Sequence, residues 1–150
     1  MRRRLWHVAV VASGVLAGVA SALAAEFRQT IEPVTISYEG PSTRANKQFL
    51  YSRGTPLEVV VQIEGWVKVR DAQGALTWVE RRALGERTQV QVITPLAEVL
   101  AAPDPAAAVL YRAEAGLLLT LVAPPSGRYA QVRHRDGTTG FIRTDALFGL

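Results

Sequence analysis

One segment of this chain occurs twice, and that repeat limits the fold more than any other feature. Gly65 to Val79 reads G-W-V-K-V-R-D-A-Q-G-A-L-T-W-V, and its plan returns from Arg128 to Ile142. Tyr129 stands where Trp66 did, Val132 where Val69 did, and Arg133 where Arg70 did. Gly137 matches Gly74, and Phe141-Ile142 match Trp78-Val79. Gly54 and Gly116 are 62 residues apart, whereas Trp66 and Tyr129 are 63 apart. The difference falls on the link Pro124-Pro125-Ser126-Gly127, which is longer than Glu64-Gly65. A chain built this way folds as two copies of one small unit.

The unit is a β unit. Val67 and Val69 alternate with Trp66, Lys68 and Arg70, a period of two with one apolar face. Asp71 to Gly74 carry turn residues, so the segment reads as a hairpin. Upstream, Val34, Ile36 and Tyr38 alternate in a first strand, and Glu39-Gly40-Pro41-Ser42 is a turn signal. Thr43 to Gln48 is polar and reads as a long loop with an apolar patch at Phe49-Leu50-Tyr51. Leu57 to Ile63 is a β-branched strand with Val59, Val61 and Ile63 in phase. Glu80 to Leu84 forms one short helical turn. In the second copy Pro103-Asp104 sits where Pro41-Ser42 sat, and Val109-Leu110-Tyr111 echoes Phe49-Leu50-Tyr51. Arg87 to Thr94 is a strand that either closes the first unit or opens the second.

The N-terminus reads as a secretory signal peptide over residues 1–24. Arg2, Arg3 and Arg4 form its basic region, Val8 to Leu23 its uncharged apolar region, and Ala22-Leu23-Ala24 an A-x-A cleavage site. The alternative is an uncleaved anchor, for which the apolar run is short, since a spanning helix needs about 20 residues. With the signal cleaved there is no stable membrane anchor, and the expected compartment is the periplasm. The net charge of +4 then misleads, because removing the three arginines leaves 14 Lys and Arg against 13 Asp and Glu. No basic run with interleaved aromatics suits a nucleic-acid groove. The chain has no cysteine, which removes thiolate chemistry and disulfides. Units near 60 residues are marginal without such staples.

These residues, taken in order, resemble a known family. Gly-Pro-Ser at 40–42, Arg53-Gly54, an apolar strand, Gly65 to Asp71, Gly74 and Trp78-Val79 are similar to the bacterial SH3-like (SH3b) domain. The chain looks closest to exported two-domain SH3-like proteins of Gram-negative bacteria. The second copy departs from the pattern, with Arg128-Tyr129 for Gly-Trp and Gly140-Phe141 where the first has Thr77-Trp78. The resemblance implies an all-β fold of two tandem small SH3-like barrels after a signal peptide, each five-stranded. We divide them at 25–86 and 87–150. It also implies binding rather than catalysis, with peptidoglycan peptide or an envelope protein as partner. The alternative is an accessory or inhibitory subunit of a cell-wall hydrolase.

The chemistry of the residues agrees with a protein that is not an enzyme and needs no cofactor. The only histidine after the signal, His134, lies at an expected hairpin tip between Arg133 and Arg135, as a solvated side chain without an orienting partner. One histidine and no cysteine do not make a zinc site. The candidate ligand-binding residues are Tyr38, Arg44, Trp66, Lys68, Arg70, Tyr129 and Arg133. If Val67 and Val69 face the core, Trp66, Lys68 and Arg70 share the outer face, where a large aromatic marks either a recognition surface or packing over the rim. The resemblance implies a groove beside Trp66. Tyr38, Tyr51 and Tyr111 read as loop-side aromatics that either line a groove or staple the loop, Arg44 and Lys47 as solvated side chains or contacts for a peptide carboxylate, and Trp78 and Phe141 as core.

Overall fold

The computed structural model describes residues 24–150. The expected signal peptide lies outside these residues but for Ala24. The first half of the described chain contains β1 (Phe27–Thr30), β2 (Val34–Tyr38), β3 (Lys47–Ser52), β4 (Pro56–Ile63), β5 (Trp66–Arg70), β6 (Leu76–Glu80) and β7 (Leu84–Glu86). The second contains β8 (Gln89–Val92), β9 (Leu96–Leu100), β10 (Val109–Glu114), β11 (Leu118–Leu121), β12 (Tyr129–Arg133), β13 (Thr139–Arg143) and β14 (Leu147–Phe148). A 3-10 turn joins the last two strands of each half, at Arg81–Ala83 and Thr144–Ala146.

The strands form two antiparallel sheets of seven strands each, ordered β3-β2-β6-β5-β4-β1-β7 and β10-β9-β13-β12-β11-β8-β14. The two orders are the same order, so the sequence repeat is a repeat of topology: two tandem SH3-like modules. Each holds seven short strands where five were expected. β8 pairs with β11 and β14, so the Arg87 to Thr94 stretch contributes its strand to the second sheet.

The hairpin repeat holds in register. Val67 faces Val79 and Val69 faces Thr77 in the first copy, and Ala130 faces Ile142 and Val132 faces Gly140 in the second. Val67, Val69, Val79, Ala130, Val132 and Ile142 are all buried. Gly74 and Gly137 take φ of 87° and 94°, a left-handed conformation that suits glycine at the hairpin turn.

Four local expectations are corrected. Val59, Val61 and Ile63 do not share a buried face: the β4–β5 register shifts between Val59 and Val61, and Val60, Val61 and Ile63 are exposed. A β-bulge adds one residue and flips every side chain beyond it. The supposed loop patch at Phe49 to Tyr51 is strand β3, and its Tyr51 is buried. The 62-residue spacing carries to β10, where Tyr111 pairs with Val99 and Ala113 with Ala97, while Tyr51 pairs with Thr35. Tyr111 is thus the counterpart of Phe49, and Tyr51 of Ala113. Trp78 and Phe141 are half-buried on the outer face, because period two places them out of phase with buried Val79 and Ile142.

The two interiors differ in chemistry. The second is apolar: Val90, Val92, Val99, Leu119, Val132, Ile142 and Leu147 form one cluster with four alanines. In the first, Thr35, Ser37, Asp71 and Thr77 are buried. The Tyr51 hydroxyl donates to Asp71 Oδ2 at 3.0 Å. Asp71 Oδ1 accepts from the N–H groups of Gln73 and Ala75 at 3.0 and 2.9 Å, which holds the turn. Ser37 Oγ accepts from Phe49 N at 3.1 Å. Buried polar groups persist when they are paired in this way.

The modules touch. Phe27 and Phe148 meet edge to face with ring centroids 5.2 Å apart. Gln29 Oε1 accepts from the N–H groups of Thr88 and Gln89 at 2.8 and 3.0 Å. A side chain of the first module therefore caps the start of β8.

Candidate functional site

Side chains of β5 alternate strictly, so Trp66, Lys68 and Arg70 share the outer face and are half-buried, while Val67 and Val69 point inward. Lys68 sits opposite Trp78 and Trp66 opposite Glu80. Tyr38 on β2 pairs with Trp78. Tyr38 ends the strand expected for it, and it is buried, with the Trp66 ring edge-on to it at 5.5 Å between centroids. Tyr38, Trp66 and Lys68 are thus brought together around Trp78. Arg70 belongs to the same face but is engaged by Glu58, with Nη1 to Oε2 at 2.8 Å. Arg44 is exposed in the connection between β2 and β3, away from this cluster's strands. Tyr129 and Arg133 lie on β12 of the other module, Tyr129 half-buried opposite Arg143 and Arg133 exposed opposite Thr139.

A groove lies at the same place in each module, between the second strand, the last long strand and the 3-10 turn. In the first module it has a volume of about 300 Å³ and is lined by Val34, Thr35, Ile36, Tyr38, Glu80 and Arg82, among others. In the second it has about 490 Å³ and is lined by Leu96, Ala97, Leu100, Tyr129, Ile142 and Arg143, among others. By the repeat spacing, Leu96, Ala97 and Leu100 are the counterparts of Val34, Thr35 and Tyr38. Arg143 and Asp145 are those of Glu80 and Arg82.

Each rim carries an ion pair across two residues. In the first module Arg82 Nε donates to Glu80 Oε2 at 2.8 Å, and Nη2 to Oε1 at 3.1 Å. In the second Arg143 Nε donates to Asp145 Oδ1 at 2.9 Å, and Nη2 bonds Oδ2. The hydrogen bond from its arginine pulls the Glu80 carboxyl below its ordinary value, and the same cause acts on Asp145. The order of the charges is reversed: an anion faces the aromatic in the first module and a cation in the second. None of these four residues was among the sequence candidates. Their signal was present, as charged residues two apart at one repeat position, E-R-R in one copy and R-T-D in the other.

His134 is not the solvated tip residue expected. It is half-buried, its ring 5.6 Å from that of Tyr111, and its Nδ1 lies 3.1 Å from Asp136 Oδ2. The Tyr111 hydroxyl is buried with no hydrogen-bond partner among the described residues, and burial raises its pKa. Among the described residues, no three His, Cys, Asp or Glu side chains gather as a metal site would require.

Two copies of one seven-stranded antiparallel sheet, each with a groove beside its outer aromatic, define a tandem β-module protein. The bacterial SH3 domain model matches residues 35–86 and 94–149, and the chain belongs to that family. Domains of this family are generally binding modules. No curated protein matches the chain. Among solved structures it is similar to NlpC2 from Trichomonas vaginalis, at 16% identity and TM-score 0.38, over 83% of this chain and 48% of that one. It is similar to NlpC1 from the same organism, at 16% identity and TM-score 0.39, over 91% of this chain and 50% of that one. An NlpC/P60 family protein from Bacillus cereus matches at 13% identity and TM-score 0.39, over 82% of this chain and 56% of that one. The chain spans about half the length of these proteins.

Proposed function

We propose that this protein is an exported, non-catalytic binding protein of the periplasm that recognises peptide, either the peptide of peptidoglycan or a segment of an envelope protein. The observation that carries the reading is the pair of grooves. Each combines an apolar wall with a rim of opposite charges, the composition of a site that holds a ligand by shape and orients it by a few polar groups. Membership of the bacterial SH3 family supports the cell wall as the source of the peptide. Under this reading Tyr38, Trp66, Lys68 and Arg70 form the contact surface of the first module, with Arg44 at its margin. Tyr129 and Arg133 form that of the second. The modules are taken as 25–86 and 87–150.

The test is a pull-down of the purified protein on isolated sacculi. Retention that is competed by soluble wall peptide is the expected result. No retention, together with a specific crosslink to one envelope hydrolase, would replace this reading with that of an accessory or inhibitory subunit.

A further inference from the structure

The two grooves are homologous in position but unequal in size, and two aromatic substitutions explain the difference. In the first module the Tyr38 ring fills the space between β2 and Trp66, and Trp66 packs edge-on against it. In the second, Leu100 replaces Tyr38 and Tyr129 replaces Trp66. The branched four-carbon side chain stops short, and Tyr129 now lines the groove with Pro105. Ligand pockets in proteins run from about 300 to 1,000 Å³. The second groove, at about 490 Å³, lies well within that range, and the first, at about 300 Å³, lies at its lower end.

The lining also restricts the ligand. Ala97, Leu100, Ile142 and Ala146 give an apolar floor of small and medium side chains. At the rim stand one cation, Arg143, and two anions, Glu98 and Asp145. Arg143 uses Nε and Nη2 on Asp145, and its Nη1 makes no hydrogen bond among the described residues. Glu98 is held by Arg112 at 3.1 Å through one carboxylate oxygen, which leaves the other. Two carboxylates disfavour a polyanion such as a nucleotide, and the guanidinium disfavours a polycation. Groups of both signs around an apolar floor suit a zwitterion. Thr94 also lines the groove, and its hydroxyl is buried with no partner among the described residues.

We propose that the ligand groove of this protein is the wider one of the second module, the first being narrowed by Tyr38, and that it takes a short free-ended peptide with small apolar side chains. The peptide's carboxylate meets Arg143 and its ammonium meets Glu98. The proposal rests on the peptide-binding reading above and assigns it to one module.

The probe is the free-ended tripeptide Ala-Ala-Ala, titrated into ¹⁵N-labelled protein and followed by amide shifts, with its C-terminal amide alongside. Shifts gathered at Tyr129, Ile142 and Arg143 are expected, with the amide at least tenfold weaker. Leu100→Tyr, which gives the second groove the ring that narrows the first, is expected to weaken binding at least tenfold. Arg143→Gln, at an exposed position, is expected to erase the preference for the free carboxylate. Tyr38→Leu is expected to add a second set of shifts in the first module. Preserved spectral dispersion shows that each variant is folded. Shifts confined to the first module, a folded Leu100→Tyr protein that binds unchanged, or no shifts at millimolar tripeptide would overturn the proposal. Sacculus retention without tripeptide binding sinks this proposal alone, whereas tripeptide binding without sacculus retention sinks the cell-wall reading alone.

Discussion

Tyr38 lies edge-on to Trp66, with ring planes at 86° and centroids 5.5 Å apart. Leu100 and Tyr129 occupy the same two positions in the second module. One copy therefore packs two aromatics on each other beside a narrower groove, and the other leaves a single aromatic on the wall of a wider one.

Trp66→Ala removes the partner that buries Tyr38. Edge-to-face pairs contribute about 0.5–1.5 kcal/mol beyond area burial, and the half-buried indole adds its own apolar contact. A loss of about 1–3 kcal/mol is expected, read from urea denaturation. If the second module carries the ligand, tripeptide affinity is unchanged. An unchanged urea midpoint would show that the contact with Tyr38 contributes nothing.

Tyr51→Phe tests the polar interior of the first module. It takes the donor from Asp71 Oδ2, which it contacts at 3.0 Å, and leaves that buried oxygen unpaired. The expected cost is about 1–2 kcal/mol, since an orphaned buried acceptor bears its desolvation penalty.

The same residue sets an alkaline limit. Burial, and after it the Asp71 carboxylate, push the Tyr51 phenol up to about 12, against the Thr77 hydroxyl, which acts the other way. The unfolded phenol titrates near pH ~10. A raised folded pKa means that the fold keeps its proton longer than the unfolded chain. The contribution is whole below pH ~10 and is lost as pH rises toward about 12. Stability of the wild type should fall across that window by about 2 kcal/mol more than that of Tyr51→Phe. Parallel pH curves for the two proteins would reject the assignment.

Gly140→Ala should damage the second module through contact rather than conformation. A Cβ there would lie 2.6 Å from Val99 Cγ1 and 2.9 Å from the Leu100 carbonyl oxygen. The first module has Thr77 at this position and Ser37 at that of Val99, so the larger residue comes with the smaller counterpart. Overpacking of this kind costs about 1–3 kcal/mol, measurable as a lowered Tm.

Phe148→Ala combined with Gln29→Leu should loosen the modules from each other. The pair removes the Phe27 edge contact and leaves the Thr88 and Gln89 N–H groups without their acceptor. Each lost hydrogen bond is worth about 1 kcal/mol. The thermal transition is expected to broaden or divide into two. A single unshifted transition would show that the modules do not stabilise one another.

Much of the fold was legible because period two and turn residues act locally. Val67, Val69, Gly74 and Val79 state the hairpin without reference to the rest of the chain. The errors arose where the local rule stops. A bulge at Val60 leaves no mark in a β-branched run, so Val59, Val61 and Ile63 read as one face. Tyr51 followed a polar stretch and read as loop, because its partner Asp71 lies 20 residues away. Trp78 and Phe141 read as core because large aromatics usually are, although their phase with Val79 and Ile142 already contradicted it.

What the sequence alone determined is the repeat, its β character and the register of the two central hairpins. Those follow from alternation along a strand and from glycine in the turns. How wide a groove each copy holds was decided only by tertiary structure. That outcome depends on the volume left between residues on three strands, where a Tyr or a Leu on β2 or β9 meets a Trp or a Tyr on β5 or β12. Side chains brought together by folding share space that no linear pattern records.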